Sequence, residues 1–496
     1  MTASSAGRSW RPVVDLTLVV LALAAVLRLF WWTEAVSGGF NPPGEEDYYN
    51  FLVRGWRQGH LYMAKEPRSE MLTLKDPYDP AQNHDVRLGD ASYYREHYYL
   101  YFSAAPAVVL HLPYYALTGR ELGTTTAVYV YGLIGFQAAS PVWLAIRRRY
   151  FTASGVGVGA GGILMLGLST HLLVLARRPL VWELPIAAAF AFVMLALLAI
   201  FWAFHGRRPV LAMAGAGVSF GLAIASRPGE LFGAAMFLPA LWFLRQRPGM
   251  ESRWRWGAVA AAIGIGVCLA AVFWHNYARF GDPLEFGVNY QLTSSYEAKQ
   301  RHFSLTYMAH NAGIYFFHPA KWSTVFPYIE ASGVRGGPSG YLGDWVEPIA
   351  GLAVSFPFLW LVLGTPLAAF RPAERESGGL RAMVIVTATL ASAIIGFFLC
   401  FYCATTRYMV EFAPALTLLA GFGWLGLERR ARTAGRKMAL VALVGLAVCV
   451  TAVTAVTAVL LSFDYHNRFL QRLSPQLWTD LERGAERWRA RLPGAD

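Results

Sequence analysis

The sequence predicts an all-α polytopic membrane protein of about eleven transmembrane helices, and three observations predict it. Hydrophobic residues make up 55% of the 496 and charged residues only 15%, too little polar surface to keep a globule of ordinary composition dissolved. Several apolar runs reach about 20 residues, the length that crosses roughly 30 Å of hydrocarbon as a helix. Those runs are rich in Leu, Ala, Val and Gly and lack the alternation of a membrane barrel. Inside lipid the backbone must also satisfy its own hydrogen bonds, which selects helices.

The first run, 13–32, is too long for a signal-peptide core and ends in Phe30-Trp31-Trp32 without a small-residue cleavage site, so it reads as the first span. Further spans are expected near 124–145, 153–175, 180–204, 209–226, 229–244, 256–276, 348–369, 381–403, 409–427 and 438–462. Arg8 and Arg11, Arg147 to Arg149, Arg207 and Arg208, Arg245 to Arg255, Arg371 with Arg375, and Arg429 to Lys437 alternate onto one side. The positive-inside rule makes that side the cytoplasm, with the N-terminus inside and the C-terminal tail outside. Arg177 and Arg178, on the outer side, break the pattern.

The net charge of +12 is carried by these clusters between spans and not by one basic face of a soluble domain, which argues against nucleic acid and for membrane lipids as partners. Cys268, Cys400 and Cys449 lie within apolar runs and Cys403 at the edge of one, so they read as small buried hydrophobes and not as a disulfide framework or metal site.

Two long segments fall on the outer face, 33–123 and 277–347, both dense in Tyr, Trp, His, Asp and Pro. Loops of that length without a fold of their own are usually functional. Short apolar stretches within them, notably Tyr98 to Tyr115, suit helices lying in the membrane interface. The chain therefore divides into a transmembrane region, 1–463, and an extracytoplasmic tail, 464–496. In the tail, Ser474 is expected as N-cap, with Pro475 in the first turn and Leu477, Leu481, Trp488 and Leu492 on one face lying on the outer membrane surface.

Just beyond the first span comes Glu45-Glu46-Asp47-Tyr48-Tyr49-Asn50, then an expected interfacial helix through Phe51 to Trp56 ended by Gly59. Crowded carboxylates at a membrane surface are one way to obtain a base that works near neutral pH. An acidic helix start favoured by the helix dipole is the equally weighted alternative.

The inward N-terminus, the acidic cluster directly after the first helix, Tyr49, the interfacial helix and the long Tyr-rich outer loop resemble the GT-C superfamily of polyprenyl-phosphate-sugar glycosyltransferases. The nearest branch contains the protein O-mannosyltransferases and the bacterial lipid A aminoarabinose transferases. The resemblance covers the layout of nearly the whole chain and rests on a few short motifs. It implies an inverting hexosyl or pentosyl transfer from a polyprenyl-phosphate-linked sugar donor to a glycan, lipid or protein acceptor. The implied location is the cell (inner) membrane, with the active site on the periplasmic or extracytoplasmic face.

The resemblance also implies site residues. An acidic base in the first outer loop corresponds to Glu46 or Asp47, although the order here departs from the common Asp-Glu. A second acidic residue between the third and fourth spans corresponds to Glu183, whose alternative is a structural ion pair with Arg177 or Arg178. A lipid phosphate needs cations at the outer mouth, and Arg227 and Arg407 sit at outer ends of spans where each could bind it bidentately or snorkel toward headgroups. Arg407-Tyr408 through Pro414 resembles an Arg-Tyr followed by Pro in late spans of such enzymes.

His84 with Asp85, and His318 with Lys321, offer further groups for sugar or acceptor. His84, Asp85 and Asp79 could together hold a divalent metal, but no ligand spacing is diagnostic and metal is left unassigned. Tyr93, Tyr94, Tyr98 and Tyr99 offer rings that could stack on a sugar, and the aromatic belt is the favoured reading for most of them. No phosphate-cradling P-loop or nucleophile elbow is present. A transporter or flippase is the competing class; it would place ionisable groups near mid-membrane and repeat itself in two halves, and neither feature is visible.

Overall fold

In the computed structural model the described residues are 10–37, 47–177, 180–294, 299–343, 347–370, 378–464, 471–472 and 474–490. Among them, seven helices are long and apolar enough to cross a membrane: Arg11–Val36, Thr124–Tyr150, Glu183–His205, Pro209–Ser226, Trp254–Phe280, Gly378–Leu399 and Lys437–Asp464. Each coincides with a predicted span. The Glu183–His205 helix is central and nearly enclosed by its neighbours, whereas Trp254–Phe280 and Lys437–Asp464 bury little of their surface. Trp256, Ile263, Val267, Val441 and Val448 on these two stand exposed, as apolar side chains that face lipid would.

The other four predicted spans are interrupted. Residues 153–175 form Val158–Leu168 and Leu172–Arg177; between them Ser169 and Thr170 donate their hydroxyls to Met165 O and Leu166 O, and His171 takes φ 57°. Residues 229–244 begin as a 3₁₀ helix, Pro228–Met236, before Phe237–Arg245. Residues 348–369 divide into Leu352–Ser355, a 3₁₀ helix Pro357–Gly364 and Thr365–Ala369, because Pro357 and Pro366 lack the N–H that would continue an α-helix. The span near 409–427 is preceded by a 3₁₀ turn, Thr406–Glu411, and runs as Ala413–Thr433.

Glycines set one close helix crossing. A Cβ on Gly217 would stand 2.2 Å from Ala261 O, and one on Gly264 would stand 2.6 Å from Val218 N. Without a hydrophobic driving force between helices in lipid, such small-residue contacts carry the packing. Gly217→Leu is therefore expected to destabilise the fold by about 1–3 kcal/mol through overpacking. It should also push the Pro209–Ser226 and Trp254–Phe280 helices apart, read as a lower melting temperature in detergent.

At the arginine-rich end, buried charges are paired. Arg147 donates Nη1 and Nη2 to the two oxygens of Asp15 at 2.7 and 2.9 Å, joining the first two spans. Glu428 accepts from Arg432 at 2.6 Å and from Gly155 N at 2.7 Å.

The opposite end carries the long loops. The expected interfacial helix is Tyr48–Arg57, followed by Gly59 at φ 87°. Arg54 holds it to Glu121 through two bonds of 2.6 Å, and Asn50 donates to Leu122 O at 2.8 Å. The expectation of helix from Tyr98 to Tyr115 is corrected in its first part. Ala91–Tyr94 and His97–Leu100 form an antiparallel hairpin, since the run of tyrosines favours strand and Arg95 and Glu96, both at positive φ, make the two-residue turn that matches strand twist. Helix resumes only from Ala107 to Thr118.

The tail forms the helix Pro475–Arg489. It docks against protein: Trp478 packs on Phe326, which packs on Phe463, and Ser474 donates its hydroxyl to Val36 O at 3.3 Å. Leu477 and Leu481 join that cluster; the Trp488 side chain and Leu492 lie outside the described residues. All four cysteines are free and none is fully buried as expected: Cys268, Cys400 and Cys403 are half-buried, and Cys449 is exposed because its helix turns little of its surface inward.

Candidate functional site

An apolar groove of about 510 Å³ opens at the loop end beneath the Ala107–Thr118 segment. Its walls are Val108, Leu112, Leu222, Val267 and Val272, and its polar end holds Arg227, His275, Asn276 and Arg279.

Arg227 caps the Pro209–Ser226 helix and donates Nε and Nη2 to Glu411 Oε1 at 3.0 and 2.7 Å. Glu230 lies one turn on, buried, with neither carboxylate oxygen hydrogen-bonded and within electrostatic reach of both Arg227 and Glu411. Arg407 is the counterpart: it bonds to Glu347 and lies 4.0 Å from Glu183 Oε1. Glu183 Oε2 also accepts from Leu180 N at 3.1 Å. The two arginines share one ring, with Tyr408 lying 5.3 Å from the Arg227 guanidinium and 5.7 Å from that of Arg407. Of the partners foreseen for Glu183, Arg178 lies outside the described residues, and Arg177 Nε and Nη1 make no hydrogen bond.

Asp47 is the N-cap of the Tyr48–Arg57 helix. Its Oδ1 accepts from Asn50 N at 3.1 Å, and its Oδ2 accepts from both N and Oγ1 of Thr124 at 3.0 Å. It thus ties the interfacial helix to the start of the second span. Glu46 lies outside the described residues. Tyr49 is fully buried and stacks on His111, centroids 5.5 Å apart; burial raises its phenol pKa well above the ordinary value. Neither the Tyr49 hydroxyl nor either ring nitrogen of His111 makes a hydrogen bond.

Four predicted residues stand apart from this constellation. His84 and Asp85 pair with each other at 2.8 Å on the exposed surface. His318 shares a 2.8 Å hydrogen bond with Ser332 Oγ, and Lys321 is exposed in a two-residue strand opposite Glu330. Among the described residues no three His, Cys, Asp or Glu side chains group as metal ligands would.

Sequence reasoning passed over His275 and Arg279. Arg279 is 9% exposed and donates to Leu100 O at 2.9 Å and Asn276 Oδ1 at 2.7 Å, both uncharged acceptors. It keeps its charge there, because a guanidinium is not deprotonated in proteins at neutral pH. His275, one turn earlier, leaves Nε2 without a partner. The available signal was their i, i+4 spacing at the loop end of an apolar helix, where a cation and an imidazole on one face must find a polar surface. Glu411 and Glu347 were also missed; each becomes visible only as the partner of an arginine distant in sequence.

Fold and site together define an integral membrane protein of many helices whose loop end joins an apolar groove to buried cations and carboxylates. No protein-family model matches the chain, and no curated protein sequence matches it. Among solved structures, it is similar to ArnT from Cupriavidus metallidurans bound to undecaprenyl phosphate, at 17% identity over 96% of this chain and 80% of that one, with a TM-score of 0.43. It is also similar to the Archaeoglobus fulgidus oligosaccharyltransferase in the apo form, at 13% identity over 90% of this chain and 55% of that one, with a TM-score of 0.49.

Proposed function

We propose that this protein is a membrane glycosyltransferase that moves a sugar from a polyprenyl-phosphate donor to an acceptor on the extracytoplasmic face of the cell membrane. The observation that carries the reading is the groove: an apolar trough closed at one end by cations matches a ligand with a hydrocarbon tail and a phosphate head. The isoprenoid lies between Val108, Leu112 and Val267, and the phosphate meets Arg279 and His275. Arg227, already paired with Glu411, supports the same anion from the other wall.

In the reaction, the acceptor hydroxyl attacks the anomeric carbon from the face opposite the phosphate. The bond from that carbon to the phosphate oxygen breaks, and a carboxylate of the Glu46-Asp47 pair takes the hydroxyl proton. The departing polyprenyl phosphate gains charge, which Arg279 stabilises from a preorganised position, while the fixed loop end holds donor and acceptor together. Acceptors in this reading are a lipid, a glycan or a protein.

The test is sugar transfer by membranes containing the protein, supplied with a panel of labelled polyprenyl-phosphate sugars. Wild type is expected to turn over one member. Arg279→Gln is expected to weaken binding of that donor by about 10–100-fold, as the loss of a charged hydrogen bond of about 1.5–3 kcal/mol implies. Full donor affinity in the variant would remove the phosphate from this end of the groove.

A further inference from the structure

Arg177, one of the two arginines that break the positive-inside pattern, contributes nothing to the groove. It ends the Leu172–Arg177 helix and is 4% exposed. Its guanidinium carbon lies 4.8 Å from the Trp32 ring and 4.6 Å from the Phe463 ring. Those two rings meet edge to face at 5.7 Å. The first span, the broken third and the last therefore converge on this one cation.

The other two buried arginines among the described residues have oxygen acceptors: Arg147 has Asp15, and Arg279 has Leu100 O and Asn276. Arg177 Nε and Nη1 have none. A guanidinium is not deprotonated in proteins at neutral pH, so these donors belong to a buried charge. Ring faces attract the charge of a guanidinium, and a helix C-terminus favours a cation. Neither satisfies the in-plane N–H donors, five of which a guanidinium presents in a fixed fork. That fork matches a phosphate.

The surroundings indicate which phosphate. Trp31, beside Trp32, is 47% exposed, and Arg28 lies over its ring at 4.6 Å. Tryptophan and arginine grouped at the end of a span mark the depth of lipid headgroups. We propose that Arg177, between the ring faces of Trp32 and Phe463, forms a second phosphate site, separate from the groove, that holds the headgroup phosphate of an anionic membrane lipid. This site shares no residue with the groove and stands independently of the transfer reaction.

The test uses the delipidated full-length protein in detergent, with phosphatidylglycerol binding followed by native mass spectrometry. Arg177→Gln is expected to weaken one phosphatidylglycerol site tenfold or more, and Arg177→Lys, which keeps the charge without the fork, by less. Arg279→Gln should leave this site unchanged, so a failure of the groove reading is seen separately. In wild type, a photoactivatable phosphatidylglycerol should crosslink to peptides containing Trp32 or Phe463, a readout that needs no variant to fold. Unchanged binding in Arg177→Gln, or no crosslink at those peptides, overturns the proposal. Competition by inorganic phosphate as effective as that by the lipid overturns the lipid assignment and leaves a free-phosphate site.

Discussion

Sugar transfer should fall by about 10²–10⁴-fold when Glu46→Gln and Asp47→Asn are combined, the usual consequence of removing a general base. The single variants divide the two roles. Asp47 is held by three hydrogen bonds from Asn50 and Thr124 and caps one helix while bracing the start of another. If it serves only as that anchor, Asp47→Asn leaves the rate near that of wild type, since Asn caps a helix as well as Asp does, and most of the rate loss follows Glu46→Gln. If it is the base, Asp47→Asn alone removes the rate while the melting temperature moves little, because the amide oxygen can still cap. A double variant that transfers sugar at the wild-type rate would end the proposal that this cluster takes the proton.

The second large effect is expected at Arg227. Arg227→Met leaves Glu411, 6% exposed, without its cation and beside Glu230, and breaking a buried pair from one side costs about 3–5 kcal/mol. Arg227→Met with Glu411→Leu removes both charges and should recover most of that stability, since a buried ion pair is often replaced by apolar residues without loss. Thermal unfolding of the two variants in one detergent checks this, and a double variant no more stable than the single would refute it. The recovered double variant also isolates function. If it binds polyprenyl phosphate as wild type does, Arg227 acts through the fold and the phosphate belongs to Arg279 and His275. A loss of affinity in a stable double variant would make Arg227 a ligand in its own right.

Much of the architecture was legible because it follows from local rules. The long spans could be read from apolar length alone, and the Tyr48–Arg57 helix from its pattern with Gly59 behind it. Interruptions were harder. Pro357 and Pro366 lie in a run that reads as one span by length, and the break at Ser169 to His171 depends on hydroxyls turning back onto carbonyls and on one left-handed residue, which composition does not signal. The hairpin of Ala91–Tyr94 and His97–Leu100 escaped because tyrosines at an interface suit both a helix surface and a strand, and the turn at Arg95-Glu96 uses positive φ in residues that rarely adopt it.

At the site, the residue types were readable and their partnerships were not. Glu183, Arg227 and Arg407 stood out because charge at the end of an apolar run needs a reason. That Arg227 would pair with Glu411, 184 positions away, and that Tyr408 would lie under both arginines, follows from helix packing that no local pattern encodes. His84, Asp85, His318 and Lys321 were weaker candidates in sequence, and the fold leaves them outside the groove.

The sequence by itself determined that this chain lives in a membrane as many helices, since length, apolarity and the need for internal hydrogen bonds in lipid admit little else. It also determined that acidic and aromatic residues gather in the long loops. Only the tertiary structure decided which cations remain without a carboxylate in direct contact. Arg279 and Arg177 are set apart from Arg227 and Arg407 by what the fold brings within hydrogen-bond reach, and electrostatic energy at that range is fixed by distance and burial, not by position in the chain.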